Sequence, residues 1–206
     1  RITIDDVVDV IKDKADHSFM GTAGLTEEED LFAPVIKSTR RRLVWLGVNL
    51  ITAILASWVI RQFDATIDKL VALAVLMPIV ASMGGIAGSQ TLTLVIRAMA
   101  LGQISKTNAR RLLFKEIGVG IWNGLIWAVV VAAVAELWYN NLQLSIVIGV
   151  AIIVNLLVAA IAGATIPLLL KRMNIDPALS ASVVLTTITD VLGFFVFLGL
   201  AALFLV

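Results

Sequence analysis

The sequence has no cysteine, one histidine, one tyrosine and four prolines in 206 residues, and only 15 % of it is charged. Without cysteine there is no disulfide framework, no thiol nucleophile and no thiolate metal site. The single histidine, His17, lies in the charged N-terminal stretch, which excludes a His-rich metal centre or a Ser-His pair within the apolar body. A charged fraction well below the ~25 % of soluble domains, beside 60 % apolar residues, excludes an ordinary water-soluble domain. A net charge of +1 gives no argument for a nucleic-acid partner. Transport, or chemistry carried by carboxylates, is what remains.

What is present is unevenly placed. Nine of the fifteen acidic residues lie between Asp5 and Asp30, and only Asp64, Asp68, Glu116, Glu136, Asp176 and Asp190 follow. A charged preface thus leads into a membrane body. The chain starts at Arg1 with no signal peptide before the first apolar run, so it is expected to be part of a longer protein. Runs long enough to span a bilayer fall at 43–60, 70–101, 117–138, 144–170 and 177–206. The expected fold is all-α, a polytopic membrane protein with five transmembrane helices per subunit. The second run holds Gly84, Gly85 and Gly88 with Ser82, Ser89, Gln90, Thr91 and Thr93, which predicts a helix interrupted or closely packed there.

Lys37 and Arg40 to Arg42 precede the first run. Arg97, Lys106, Arg110, Arg111 and Lys115 surround the second loop, and Lys171 and Arg172 lie in the fourth, against Arg61 and Lys69 on the alternate side. The positive-inside rule then predicts a cytoplasmic N-terminus and an external C-terminus. Trp45, Trp58, Trp138 and Tyr139 near span ends suit an aromatic belt in a multi-pass protein of the cell membrane.

Within the preface, Val7, Val8 and Ile11 form one helical face and Asp5, Asp9, Asp13 and Asp16 the opposite one, giving an amphipathic helix and linker over 1–25. Thr26 with Glu29 is a capping signature for a second helix over 26–42, acidic at its start, basic at its end, bent by Pro34 and lying along the cytoplasmic interface. Residues 43–206 form the five-helix pore domain.

From Ile117 to Val206, every charged residue except Asp190 sits near a span end. Counted from Pro177 at ~1.5 Å per residue, Asp190 lies ~20 Å along its helix, near mid-bilayer. An Asp there costs about 2.5–3.5 kcal/mol on the insertion scale, so it is expected to face water or a partner. Ser182, Thr186 and Asp190 are spaced by four, with Gly193 three further on and Thr187 and Thr189 flanking, which groups hydroxyls, a carboxylate and bare backbone near one face. A negative group among oxygen ligands suits a hard cation such as Mg2+, Ca2+ or Mn2+. One carboxylate is a poor divalent site unless the ion keeps its water or a second copy contributes, which favours a C2 dimer. Glu116, next to Lys115, reads equally as a carboxylate attracting cations at the cytoplasmic mouth and as a charge pair at a helix start. Asn123 and Asn155 read as interhelical hydrogen-bond glue.

Several stretches resemble the MgtE family of magnesium channels: Met77-Pro78 followed by Met83-Gly84-Gly85 and Ala87-Gly88-Ser89-Gln90, Arg97-Ala98 with Leu101, Lys115 to Gly120, Asp176-Pro177-Ala178-Leu179, and Thr187-Ile188-Thr189-Asp190-Val191-Leu192-Gly193-Phe194. The resemblance runs along nearly the whole chain. It implies a homodimer in the lipid bilayer whose second and fifth spans line a pore, Asp190 holding hydrated Mg2+, with Ser182, Thr186, Thr187, Thr189, Gly193, Gly84, Gly85, Gly88, Ser89 and Gln90 along the pathway. It also implies that the start of the chain is the end of a CBS domain running into a connecting, or plug, helix, where Asp5, Asp6 and Asp9 match acids that bind regulatory Mg2+ against cytosolic CBS and N-terminal domains. Those domains are not in this sequence, so magnesium-dependent closure is expected to be largely lost. Ile86 and Ser182 stand where relatives carry Asn.

The expected function is a magnesium channel, not an enzyme. The alternative within transport is an exchanger coupling Mg2+ to Na+ or H+. An intramembrane aspartyl protease needs a second intramembrane acid and a Gly-x-Gly-Asp signature, and the chain has neither. A structural scaffold leaves Asp190 without a purpose.

Overall fold

A computed structural model describes Ile4, Phe32 and residues 34–105 and 108–206. Asp5, Asp6, Asp9, the acidic stripe and the Thr26–Glu29 signature lie outside the described residues. Five helices are long and apolar enough to cross a membrane: α1 (Val35–Arg61), α3 (Ala72–Ala100), α4 (Ala109–Tyr139), α5 (Leu142–Arg172) and α6 (Pro177–Phe204). A short helix, α2 (Asp64–Lys69), joins the first two. No strand occurs among the described residues.

The boundaries follow from local chemistry. Pro34, in an extended conformation (ψ 139°), starts α1, and residues 35–42 continue directly into the first span. Pro34 therefore opens this helix and does not bend it from within. Asn140 ends α4 in the left-handed region (φ 48°, ψ 45°), and the next residue, Asn141, caps α5 by accepting from the backbone N–H of Leu144 at 3.1 Å. Two adjacent asparagines thus make a tight helical hairpin, one tolerating a positive φ and the other satisfying an orphan donor. Asp176 caps α6 by accepting from the Ala178 N–H at 2.8 Å, with Pro177 in the first helical position, where no N–H is needed.

Helix α5 is the centre of the bundle. It packs most extensively on α4 and also on α6 and α3, whereas α1 packs chiefly on α6. Its alanines and glycines, among them Ala151, Ala159, Ala160, Gly163 and Ala164, are buried and let neighbouring backbones approach. Gly163 comes so near α3 that a Cβ on it would lie 2.7 Å from the carbonyl oxygen of Gly88. Helix α3 runs unbroken through Pro78 and its glycines, so of the two forms expected there the structure has close packing and no interruption.

The apolar core falls into two clusters. One contains Leu73, Leu76 and Val80 of α3, Ile148 and Ile152 of α5, and Phe197 and Leu198 of α6. The other contains Leu92 and Ile96 of α3, Ala162 and Ile166 of α5, and Ala181 and Leu185 of α6. Gly84 of α3 and Gly193 of α6 fall between the two clusters, and Asn155 of α5 lies at the edge of the first, beside Leu156.

Candidate functional site

Helix α3 shows two stripes at helical spacing. Leu73, Leu76, Val80, Gly84, Gly88, Thr91 and Val95 are buried against the bundle. Ala81, Ser82, Gly85, Ile86, Ser89, Gln90, Thr93 and Leu94 face the other way and, with Thr186 and Asp190 of α6, line an open groove of about 950 Å3. Such separation is what a period of 3.6 residues produces when one face packs and the other does not.

Helix α6 divides similarly. Ala181, Leu185, Thr189, Phe197 and Ala201 are buried, and Gly193 is buried with them. Thr186 and Asp190 look into the groove, and Asp190 is half-buried. The Thr186 hydroxyl donates to the carbonyls of Ser182 and Val183, both at 3.1 Å. With its proton directed into the helix, its oxygen offers lone pairs outward, which suits a cation or the hydrogens of a cation's water.

The remaining expected site residues are elsewhere. Thr187 donates to the Val183 carbonyl at 2.7 Å, and the fully buried Thr189 donates to the Thr186 carbonyl at 3.1 Å. Ser182 is half-buried and does not border the groove. Gly84 and Gly193 press against the Asn155 side chain, and a Cβ on Gly88 would lie 2.9 Å from Leu185. Of the residues grouped by sequence, the groove therefore gathers Gly85, Ser89, Gln90, Thr186 and Asp190, and adds Ser82, Ile86 and Thr93. A Cβ on Gly85 would meet nothing within 4 Å, so its backbone is bare on this side.

Glu116 forms the pair with Lys115 (Nζ to Oε1, 3.1 Å), but its carboxylate is turned inward, 3 % exposed, and accepts from the Thr91 hydroxyl at 3.1 Å. Asn155 does bridge helices, whereas Asn123 stands on an exposed face of α4 with no interhelical bond among the described residues. No group of three or more His, Asp or Glu side chains converges on a metal position among the described residues. Asp190 is the acidic residue of the groove, and one carboxylate among hydroxyl, amide and carbonyl oxygens would leave a bound cation most of its water.

Residues 77–200 match the family model MgtE, described as a divalent cation transporter. Over 204 residues the chain is 29 % identical to the magnesium transporter MgtE of Bacillus subtilis (strain 168) and 30 % identical to that of Enterococcus faecalis. Over 207 residues it is 31 % identical to the magnesium transporter MgtE of Thermus thermophilus. These alignments cover 99 % of the chain and 45–46 % of the relatives, so the chain spans about half the length of the curated relatives it matches.

Proposed function

Because the chain belongs to the MgtE family of divalent cation transporters, we propose that it passes hydrated Mg2+ across the membrane along the groove between α3 and α6, as a channel. A second copy, facing the first across this groove, closes it into a pore. The observation that carries this reading is the placement of Asp190: a mid-span carboxylate on the wall of a groove whose other polar lining is oxygen-bearing. The relatives' own description as magnesium transporters supports Mg2+ as the ion.

Two Asp190 side chains, one from each copy, would match the charge of one divalent ion. Mg2+ gives up its water reluctantly, so two carboxylates and a few neutral oxygens hold it through its hydration shell rather than in a dry cage. Gly85 and Thr186 then provide room and acceptors for that shell. The basic residues Arg97, Arg110, Arg111, Lys115, Lys171 and Arg172 gather at the end of the bundle where α3 and α5 finish and α4 starts, which supports placing that end in the cytoplasm. Asp5, Asp6 and Asp9 would sense the ion at this side.

The test is Mg2+ uptake into dye-loaded liposomes under a membrane potential, with wild type and Asp190→Ala. Uptake by wild type that falls at least tenfold in the variant, while the variant elutes as wild type in detergent, supports the reading. Equal uptake by both would remove Asp190 from the pathway. Uptake that depends on a Na+ or H+ gradient rather than on potential would turn the channel into an exchanger.

A further inference from the structure

We infer that Asn155 is a positioning residue for the Asp190 site, setting the spacing and register of the two helices that wall the groove. The inference rests on the groove being the ion pathway.

Asn155 lies on α5, behind the groove, and is 1 % exposed. Its Nδ2 donates to the carbonyl oxygen of Val80 on α3 at 2.7 Å, and its Oδ1 has no hydrogen-bond partner. Among the described residues this is the side-chain hydrogen bond that ties α5 to α3. The amide fills a slot between two glycines, one on each groove wall. A Cβ on Gly193 would lie 2.9 Å from Nδ2 and 3.1 Å from Oδ1, and a Cβ on Gly84 would overlap the amide. One side chain thus touches both walls.

The level of that contact is fixed by two pairings along the antiparallel helices. Gly84 and Gly193 share the Asn155 amide, and Gly88 faces Leu185. Asp190, between Leu185 and Gly193, is therefore level with Gly85 and Ile86, less than one turn from the amide. Asn155 abuts the backbone of α6 at Gly193 from behind, within one turn of where Asp190 projects in front.

Stability alone does not call for asparagine here. A leucine, branched alike though larger, would carry no orphan acceptor, and apolar replacements of buried polar groups are often neutral or stabilising. What leucine lacks is direction. The apolar contacts of the two clusters carry no direction of their own, whereas the Nδ2 to Val80 bond specifies one register of α3 against α5. Register is the best-attested use of a lone buried polar side chain between helices.

The experiment is Mg2+ and Ca2+ uptake by the protein in liposomes, for wild type, Asp190→Ala, Asn155→Leu, Asn155→Ser and Gly193→Ala, normalised to correctly folded protein. The readouts are the half-saturating Mg2+ concentration and the Mg2+ to Ca2+ uptake ratio, which a loss of folded protein does not move. Asn155→Leu is expected to shift the half-saturating concentration by about three- to tenfold and to change the ratio, as misplacement of a ligand does. Should Asn155→Leu not fold, Asn155→Ser and Gly193→Ala, the latter pressing on the same amide from α6, give the same readouts. If the folded variants keep the wild-type half-saturation and ratio, Asn155 only packs helices and the inference is overturned. If wild type and Asp190→Ala do not differ, the pathway reading fails, and this inference falls with it.

Discussion

Thr91 on α3 donates its hydroxyl to Oε2 of Glu116 on α4 at 3.1 Å, while Lys115 holds Oε1 at the same distance. Helix α4 otherwise packs mainly on α5 and scarcely touches α3, so this bond is its polar tie to a groove helix. Thr91→Val keeps the shape and removes the donor, leaving a buried carboxylate oxygen short of a partner. A loss of about 1–3 kcal/mol is expected, read as a lower melting temperature in detergent. Because Thr91 faces away from the groove, half-saturation by Mg2+ should not move. An unchanged melting temperature would mean that the tie contributes nothing.

A packed glycine and a groove glycine should respond differently to the same methyl group. Gly163→Ala drives a Cβ toward the Gly88 carbonyl, a backbone atom that cannot turn aside, and overpacking of this kind costs about 1–3 kcal/mol. Gly85→Ala meets open space, so its stability should stay within about 0.5 kcal/mol. Its methyl nonetheless enters the groove level with Asp190, and Mg2+ uptake should fall. Melting curves and liposome uptake on the two variants separate packing from pathway.

Ile86 is 58 % exposed and presents an apolar wall to the groove at the level of Asp190. Ile86→Asn would give a hydrated ion one further hydrogen-bonding partner there. Uptake at subsaturating Mg2+ should rise by about two- to tenfold, the range that one net hydrogen bond allows. Uptake at or below the wild-type rate would show that the ion does not pass close to this side chain.

At the hairpin between α4 and α5, Asn141→Ala removes the acceptor for the Leu144 N–H and should lower stability by about 1 kcal/mol, whereas Asn141→Gly should cost only a few tenths. Thermal unfolding of both variants in detergent checks the order. A Gly variant as unstable as Ala would place the effect outside the cap.

The spans were legible because hydropathy and length suffice to find a helix that crosses a bilayer, and Asp190 was legible because it has no charged neighbours to hide among. The division of the glycines was not. Gly84, Gly85 and Gly88 look alike in a sequence, yet the stripe of Leu76, Val80 and Thr91 carries Gly84 and Gly88 inward, and the stripe of Ser82 and Ser89 carries Gly85 outward. Following the two stripes separately along α3 would have told them apart. Gly193 was grouped with Asp190 because three residues make nearly a turn, but the remaining rotation turns it to the packed side with Thr189. The bonds from Thr91 to Glu116 and from Asn155 to Val80 join residues 25 and 75 positions apart, and no local spacing announces such partners.

Helix α1 rests chiefly on α6 and hardly on the rest of the bundle. A pull transmitted through the chain from before Pro34 would reach the helix of Asp190 first, and α3 next through the contacts that α6 makes with it. The first span thereby bears on one jaw of the groove, the one that carries Asp190, and leaves the other jaw to the packing within the bundle.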